Sequence, residues 1–464
     1  MKKTTLKNLF AVLALGLLTL SGNTNAQTWA AVGSGVSGFS YSFVSALGTY
    51  NGNLYIGGYF TSPGNSVCKW NGTSLSSVGS GIYPGLDQGP QAFATFNSDL
   101  YIAGPFSLIN SSTSCGSVVD WNGSALSPVT STPGGTPFAL TLYNSMLCAA
   151  GNFTTAGSIN ANYIATWNGS SWAVLGKGVS GAPSGSNTTV EALCVYNGNL
   201  YAGGIFDSAG GNKLANGIAM WNGTTWSTFG RGAISTNSAA VASVSSLVVF
   251  NGNLYAAGMF DSIGGVAARN VAEWNGTTWS ALGKGVYAVP SGNVDGAASL
   301  CVYNGSLYAG GEFDSSGAVA AKNIAAWNGT AWSALGTGTD SNVTSMVVYN
   351  GGLYVGGAFR SAGGHSVNYL AEWTAPVSVA QISENVSVQV YPNPSNGTFF
   401  INQQNIDKQT KVEVYDILGE KVYQSELHAG ETEIKLNNRS AGIYLYRILT
   451  QDGAVLATGR LVIQ

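Results

Sequence analysis

Charged side chains are scarce in this sequence. Lysine and arginine number 18, and aspartate and glutamate 21, among 464 residues, which gives a formal net charge of −3 at pH 7. A protein that holds a nucleic-acid backbone needs a basic patch that neutralises several phosphates. The sequence contains no such cluster, so its composition argues against nucleic acid as a partner.

Histidine is also rare, which limits the catalytic chemistry available. The two histidines are His365 and His428, and no Ser/His/Asp or Cys/His set is recognisable around them. We therefore predict no catalytic residues, no cofactor and no metal site. One enzymatic alternative stays open, because two carboxylates can hydrolyse a glycosidic bond. The carboxylates available for such a pair are Asp207, Asp261, Glu312 and Asp314.

The cysteines number five, so at least one is unpaired in an exported chain. They are Cys68, Cys115, Cys148, Cys194 and Cys301. Cys194 and Cys301 occupy equivalent positions in separate repeats, where they are not expected to meet. We expect buried strand cysteines, and a Cys68–Cys115 bond is the alternative.

Long apolar runs are absent except at the N-terminus. Leu9 to Leu20 is apolar and follows Lys2, Lys3 and Lys7, and small residues precede Gln27. This run is too short to span a bilayer and is typical of a secretory signal peptide. We predict a signal peptide over residues 1–26, cleavage after Ala26, and an exported chain without a transmembrane segment.

What the sequence does contain is a repeat of about fifty residues. Segments related to "YNGNLYAGGIF" start at seven places, 46, 47, 53, 54, 53 and 46 residues apart. These starts are Tyr50, Phe96, Tyr143, Tyr196, Phe250, Tyr303 and Tyr349. Each is followed by an apolar run that ends in tryptophan. Periods of this length with turn signals are typical of β-propellers.

One repeat illustrates the expected strands. Ser246–Phe250 suits an innermost strand buried on both faces, Leu254–Phe260 a second, Asn270–Trp274 a third and Thr277–Leu282 a fourth. Asn-Gly links the first to the second and the third to the fourth. Because both central residues of a type I′ turn need positive φ, Asn-Gly predicts a tight hairpin at both places. Asn-Gly-Ser/Thr also fits the glycosylation sequon, but the turn explains every copy.

The count of strands predicts a closed ring. The first three strands occur seven times, but the fourth follows only six of them. "TWAAVGSGV", Thr28 to Val36, matches the missing fourth strand and stands ahead of the first repeat. A sheet of this kind must be covered by neighbours, and a free edge is a liability. We therefore predict an all-β fold: a seven-bladed propeller over residues 27–376, closed by its N-terminal strand.

The repeats resemble those of kelch and galactose-oxidase-type propellers. The resemblance rests on "LYAGG" or "LYVGG" followed by "IAMWNGTTWSTF", with two tryptophans around a turn, and covers residues 28 to about 374. It implies the propeller fold and carries no activity by itself. A galactose-oxidase-type copper site needs two histidines and tyrosines together, and residues 27–376 contain only His365.

Charge and loop length concentrate on one face of the predicted ring. Lys177, Arg231 and Lys284 are each the middle residue of a Gly-x-Gly that precedes a long connection. Aspartates follow the second strands of repeats 4 to 6, and an arginine follows that of repeat 7. These residues are Asp207, Asp261, Asp314 and Arg360. We hypothesise that this sector binds an extracellular glycan or protein; the alternative is a set of solvated turn residues in duplicated repeats.

The last 88 residues differ in composition. Residues 27–376 carry 20 charged side chains in 350 positions, whereas residues 377–464 carry 16. We place a linker at 377–385 and predict a small immunoglobulin-like β-sandwich over 386–464, because short alternating runs are separated by turns.

This segment resembles the type A C-terminal sorting domain of the type IX secretion system of Bacteroidota. The matching residues are Pro392, Asn393, Pro394, Gly397, Tyr415, Asp416, Gly419, Gly442 and Tyr444. The resemblance implies contact with the secretion machinery and a secreted or surface-attached product. We expect a binding or adhesion scaffold. The alternatives are a secreted carbohydrate-active enzyme and a purely structural surface protein.

Overall fold

The regular secondary structure of the described residues consists of β-strands. A computed structural model describes residues 28–84, 89–183, 186–236, 241–287, 296–374, 387–404, 410–416, 421–427, 430–437, 439–450 and 455–464. Contacts divide the chain into two compact units, Met1–Pro376 and Val377–Gln464. The predicted signal peptide, residues 1–26, and the predicted linker, residues 377–385, lie outside the described residues.

The first unit contains seven four-stranded antiparallel sheets, which we number by the order of their first strands. Sheets 1 to 3 consist of Phe43–Tyr50, Asn53–Tyr59, Val67–Trp70 and Leu75–Ser77; Ala92–Phe96, Asp99–Ala103, Val118–Trp121 and Leu126–Pro128; and Pro137–Tyr143, Met146–Gly151, Ile164–Trp167 and Trp172–Val174. Sheets 4 and 5 consist of Thr189–Tyr196, Asn199–Ile205, Ile218–Trp221 and Trp226–Thr228; and Ser243–Phe250, Asn253–Met259, Val271–Trp274 and Trp279–Ala281. Sheet 6 consists of Gly296–Tyr303, Ser306–Glu312, Ile324–Trp327 and Trp332–Ala334, and sheet 7 of Val343–Tyr349, Gly352–Gly357, Leu370–Thr374 and Thr28–Ala31.

The fourth strand of sheet 7 comes from the N-terminus, as the strand count predicts. Thr28–Ala31 pairs antiparallel with Leu370–Thr374, with Trp29 opposite Trp373. Their ring centroids lie 5.2 Å apart. The Trp29 Nε1–H donates to the Leu335 carbonyl at 2.9 Å, and Trp29 is only 5% exposed. The strand is therefore fixed by backbone pairing, aromatic packing and a buried hydrogen bond to sheet 6.

The two kinds of Asn-Gly turn differ. Between first and second strands both central residues have positive φ, as at Asn197 (48°) and Gly198 (75°), which fits the predicted type I′ turn. Between third and fourth strands only the glycine does, so the type I′ prediction is wrong there. At Asn222 the side-chain Oδ1 accepts the Thr224 and Thr225 N–H groups at 2.9 and 2.8 Å. The asparagine side chain builds an Asx turn and removes the need for a left-handed backbone.

The first strands are less buried than predicted. The second strand is the fully buried one, with five consecutive buried residues in Asn253–Met259. The first strand exposes part of one side, and Val249 is 38% accessible to solvent. First strands of neighbouring sheets contact each other, and that of sheet 1 contacts those of sheets 2 and 7. The first strand is an edge strand, so the side chains pointing away from neighbouring sheets remain in contact with solvent.

The cysteines are all free. Cys68 and Cys148 are buried, and Cys115, Cys194 and Cys301 are partly buried. The alternative of a Cys68–Cys115 disulfide is therefore wrong, and the two cysteines pack in different hydrophobic clusters.

Short strands extend one end of the sheets. In four places the chain leaving a fourth strand pairs with the loop between the second and third strands of the next sheet. These small sheets are Ile82–Pro84, Phe106–Ile109 and Thr113–Ser114; Val179–Ser180, Ser208–Ala209 and Asn212–Lys213; Ala233–Ile234, Ser262–Ile263 and Val266–Ala267; and Val286–Tyr287, Ser315–Ser316 and Val319–Ala320. Related strand pairs occur in the corresponding loops of sheets 3 and 7, namely Thr155–Ala156 and Ile159–Asn160; and Ser361–Ala362 and His365–Ser366.

The second unit is a β-sandwich of two antiparallel sheets. One contains Ser387–Tyr391, Thr398–Gln404 and Gly430–Lys435, and the other Lys421–Leu427, Thr410–Tyr415, Gly442–Thr450 and Val455–Ile463. Both sheets contribute to one buried cluster, in which Phe399 and Ile401 pack with Val412, Ile448 and Leu461. Alternating apolar residues face this core.

The N-terminal strand can be tested against an internal equivalent. Trp226, in sheet 4, makes the same bond as Trp29, from its Nε1–H to the Leu175 carbonyl at 2.7 Å. We expect Trp29→Ala and Trp226→Ala each to lower the free energy of unfolding by about 3–5 kcal/mol, because each removes a buried indole. Urea unfolding followed by tryptophan fluorescence reports the first unit alone, since the last tryptophan is Trp373. A loss for Trp226→Ala without a loss for Trp29→Ala would show that the terminal strand adds no stability.

Candidate functional site

The predicted loop residues fall into three equivalent modules. In each, a basic Gly-x-Gly turn meets the aspartate loop of the following sheet within one small sheet. In the first module, Gly210 N–H donates to the Gly178 carbonyl at 2.8 Å and Asp207 N–H to the Gly181 carbonyl at 3.1 Å. The same pairing joins the segments of Arg231 and Asp261, and those of Lys284 and Asp314. The structure therefore brings together the members of each pair, one pair per junction.

The three basic side chains project into solvent. Lys177, Arg231 and Lys284 are all exposed. Asparagines of the preceding loops hold two of these turns: Asn162 Nδ2 donates to the Lys177 carbonyl at 2.9 Å, and Asn216 Nδ2 to the Arg231 carbonyl at 2.6 Å. Between described residues, ion pairs occur in the second unit, at Glu413 and Glu433, and none involves these three cations. The turns thus present three unneutralised charges on fixed backbones.

The aspartates have local partners. Asp261 Oδ2 accepts the Thr236 N–H at 2.6 Å and the Thr236 hydroxyl at 2.7 Å. Burial raises the pKa of Asp261, but these hydrogen bonds and the charge of Arg269 outweigh burial and hold that pKa below its ordinary value. Asp314 accepts a hydrogen bond from the Ser315 hydroxyl at 2.9 Å. These hydrogen bonds hold the turns around Asp261 and Asp314 in place.

Two arginines make contacts that the sequence did not predict. Arg360, predicted as a ligand residue, donates from Nε and Nη2 to the Tyr369 hydroxyl at 2.8 and 2.6 Å, and from Nη2 to the Ser40 carbonyl at 3.4 Å. It therefore joins the loops of sheet 7. Arg269, absent from the predicted site, lies over the Tyr287 ring at 5.1 Å, next to the Lys284 turn. Arg269 is one residue ahead of the repeated asparagine Asn270, and this position could have drawn attention to it.

A partly buried carboxylate that sequence reasoning missed, Glu191, lies at a bulge in the first strand of sheet 4. Pairing of first and second strands shifts between Val190 and Ala192, which leaves Glu191 as the extra residue. Its carboxylate accepts the Ser245 hydroxyl of sheet 5 at 2.9 Å and the Thr189 hydroxyl at 3.2 Å. Burial raises the pKa of Glu191, and the two hydroxyl bonds oppose this only in part.

The same bulge occurs in the first strands of five other sheets. Its extra residues are Ser45, Phe138, Ser245, Ala298 and Thr344. Bulges re-aim side chains and are frequent next to functional sites. Glu191 carries the only charge in any of the seven first strands, and aligning the repeats reveals it.

The strain of burying Glu191 predicts a pH-dependent stability. Its raised pKa means that the ionised form is disfavoured in the folded state, so Glu191→Gln should raise the melting temperature at pH 7. When the pH falls below the raised pKa toward 4.5, the ordinary pKa of glutamate, the carboxylate of the folded protein becomes protonated. The difference in melting temperature between variant and parent should then disappear. Melting curves across this pH range measure it, with the exposed Glu312→Gln as the control. A constant gap at every pH would contradict the assignment.

Within the described ranges, no three His, Cys, Asp or Glu side chains lie together as a candidate metal site. No helix in that part of the chain is long and apolar enough to cross a membrane.

The residues of the sorting-domain resemblance are spread over the β-sandwich. Asn393 joins chain segments, because its Nδ2 donates to the Arg460 carbonyl at 2.7 Å and its Oδ1 accepts the Val462 N–H at 2.9 Å. Gly397 has φ of 103° and lies against Asn437, where a Cβ would come within 3.0 Å of Asn437 Cα. Tyr444 donates to the Ser440 carbonyl at 3.0 Å. Pro392 and Pro394 are exposed, and Asp416 and Gly442 also lie in the described residues. Gly419 lies outside them.

Tyr415 belongs to a charged cluster on the sandwich. Its hydroxyl donates to Glu413 at 2.7 Å, and the Arg447 Nε donates to the same carboxylate at 2.8 Å. The hydrogen bond from Tyr415, opposed by partial burial and joined by Arg447 and Lys421, lowers the pKa of Glu413 to about 2. Three of the chain's four ion pairs between described residues involve Glu413.

Comparison with solved structures finds proteins of low similarity to this chain. The type-IX secretion component PorZ of Porphyromonas gingivalis is 14% identical, with a TM-score of 0.43 and coverage of 90% of this chain and 59% of that one. The extracellular domain of the hybrid two-component system BT3049 of B. thetaiotaomicron is 10% identical, with a TM-score of 0.47 and coverage of 94% and 57%. A fungal alcohol oxidase of the AA5 family, solved with copper, is 10% identical, with a TM-score of 0.41 and coverage of 95% and 100%. This chain thus spans less than three fifths of the first two proteins.

A search of the curated proteins finds no match. A family model does match the tail: residues 389–464 fit the secretion system C-terminal sorting domain. This range covers both sheets of the β-sandwich, from its first strand to the last residue. The second unit is therefore a type IX secretion system C-terminal sorting domain, and the chain is a cargo of that system, delivered to the cell surface or the extracellular space.

Proposed function

We propose that the seven sheets form a closed seven-bladed β-propeller, in which sheet 7 packs on sheet 1 as every other sheet packs on the next. Equivalent hydrogen bonds support this. The Leu47 N–H of sheet 1 donates to the Ser345 hydroxyl of sheet 7 at 3.0 Å, and the Leu300 N–H of sheet 6 to the Ser246 hydroxyl of sheet 5 at 3.0 Å.

Close backbone approaches repeat in the same way. A Cβ on Gly356 of sheet 7 would lie 2.4 Å from Val44 Cγ1 of sheet 1. A Cβ on Gly310 of sheet 6 would lie 2.5 Å from Val343 Cγ1 of sheet 7. The residue at this second-strand position is glycine in sheets 1, 4, 6 and 7 and alanine in sheets 2, 3 and 5, so a small residue there lets each sheet pack on its neighbour.

The function that we propose for this propeller is a surface scaffold that binds an anionic ligand, without catalysis. The observation that supports it is the repeated placement of Lys177, Arg231 and Lys284, each exposed, on a turn fixed by its small sheet. Three cations at equivalent positions of consecutive sheets suit a ligand with several negative groups, such as an acidic surface glycan. Each exposed contact of this kind contributes roughly 0.2–1 kcal/mol, so the proposal requires several together.

The proposal predicts a charge-dependent interaction. The mature chain should be retained on immobilised heparin, used as a polyanion probe, and released as salt screens the charges. The triple variant Lys177→Ser, Arg231→Ser and Lys284→Ser should bind roughly tenfold more weakly. Lys322→Ser, which removes an exposed cation outside the Gly-x-Gly turns, is the control and should bind like the parent.

Two outcomes would contradict this function. Retention of the triple variant at parental strength would mean that the modules do not form the site. Failure of the parent to bind heparin or any acidic member of a glycan array would favour a structural surface protein.

A further inference from the structure

The junction between sheets 4 and 5 departs from the repeat. The residue that follows the fourth strand is a buried aliphatic side chain in six sheets, at most 7% exposed: Val32, Val78, Val129, Leu175, Leu282 and Leu335. In sheet 4 it is Phe229, which is partly exposed. A larger side chain thus occupies a place where the other junctions are closed.

A tryptophan becomes accessible at the same junction. All twelve tryptophans of the chain belong to the first unit, and all except Trp274 are buried. The Trp274 ring packs edge-on against Phe229, with centroids 4.9 Å apart and an interplanar angle of 76°. Phe229 also stacks on Tyr201, with ring centroids 5.5 Å apart. Phe229 is therefore a wedge between sheets 4 and 5 that leaves Trp274 partly open.

The wedge coincides with a missing hydrogen bond. In sheets 4, 6 and 7 the fourth-strand indole donates to the carbonyl of the preceding junction, as Trp332 does to Leu282 at 2.8 Å. In sheet 5 the buried Trp279 Nε1–H has no acceptor among the described residues, and the centroid of its ring lies 6.1 Å from that of Phe229. Trp172 of sheet 3 also has none, but there the preceding sheet lacks a Gly-x-Gly turn. Natural proteins break such local rules mainly at functional or strained sites.

These departures border a groove of about 470 Å³. Its aromatic lining is Tyr201, Phe229, Trp274 and Trp279, and its hydroxyl lining is Ser227, Thr228, Thr277 and Thr278. The lining contains no carboxylate, ammonium or guanidinium group. This combination of flat apolar surfaces with a few hydroxyls and no charge, in a cavity of ordinary ligand size, is typical of a small-molecule site.

We propose that this groove binds a neutral saccharide of one or two rings. A sugar ring has a face of C–H groups, which packs on an aromatic ring, and a rim of hydroxyls, which bond to serine and threonine. The absence of charge in the lining favours a neutral sugar over an anionic one. The groove borders the Arg231 turn at Gly230, but its lining does not include the three basic residues, and this proposal does not depend on the anionic ligand proposed for them.

The accessibility of Trp274 gives a direct test on the parent protein. N-bromosuccinimide, titrated into the mature full-length chain, should oxidise Trp274 before the eleven buried tryptophans, as located by peptide mass spectrometry. Cellobiose, maltose, lactose or N,N′-diacetylchitobiose at millimolar concentration should slow that oxidation several-fold, whereas glycerol at equal concentration should not. Protection by a phenylalanine dipeptide amide and by no disaccharide would overturn the proposal in favour of an apolar occupant, and protection by none would overturn it outright.

A variant that restores the repeat gives the second test. Phe229→Leu should close the junction, weaken binding of the protecting disaccharide by about tenfold or more, and leave the melting temperature unchanged or higher. Phe39→Leu is the matched control, because Phe39 is an exposed aromatic stacked on Tyr59 in sheet 1, with centroids 4.0 Å apart. Undiminished binding by Phe229→Leu would refute the site. The triple variant of the basic turns should keep saccharide protection, so the two proposals fail separately.

Discussion

Pairing between the third and fourth strands of sheet 7 is the contact on which the architecture depends. Trp29 and Trp373 meet across it, although they are separated by almost the whole first unit. Without Thr28–Ala31, sheet 7 would end in the exposed edge of Leu370–Thr374, and Trp373, now 1% exposed, would lose its cover. An open apolar edge invites pairing with another chain. A terminal strand of four residues therefore protects a much larger structure.

The repeat also explains how individual sheets come to differ although the chain carries few charges. Six of the seven junctions close with a small aliphatic side chain, and glycines or alanines let the sheets approach. The sheets differ from one another at a few positions, which carry a cation in a turn, one carboxylate at a bulge and one phenylalanine in place of an aliphatic residue. Repeats separate the two tasks, because the shared positions maintain packing while the variable positions are free to change.

Much of the fold could be predicted from the sequence because turn chemistry and strand period act locally. The Asn-Gly or Asn-Ser after each first strand and the unmatched "TWAAVGSGV" were sufficient to place strands and to pair the N-terminus with the strand ending at Trp373. Local rules failed where a side chain could substitute for backbone geometry, as at Asn222, and where burial depends on neighbouring sheets, as at Val249. The site was less predictable. Lys177 could be singled out by its turn, but the environments of Glu191, Phe229 and Trp274 arise from contacts between sheets, which no single repeat encodes.

The N-terminal strand also sets the order in which this protein can fold. Thr28 and Thr374 hydrogen bond across 346 positions of sequence, so the segment that leaves the ribosome first finds its partner only after the last sheet is made. Contacts of such long range slow folding, because the chain must close a large loop before they form. A chain that completes its structure only at the end of synthesis stays open for longer. Until that pairing forms, Leu370–Thr374 of sheet 7 keeps one edge without a partner strand.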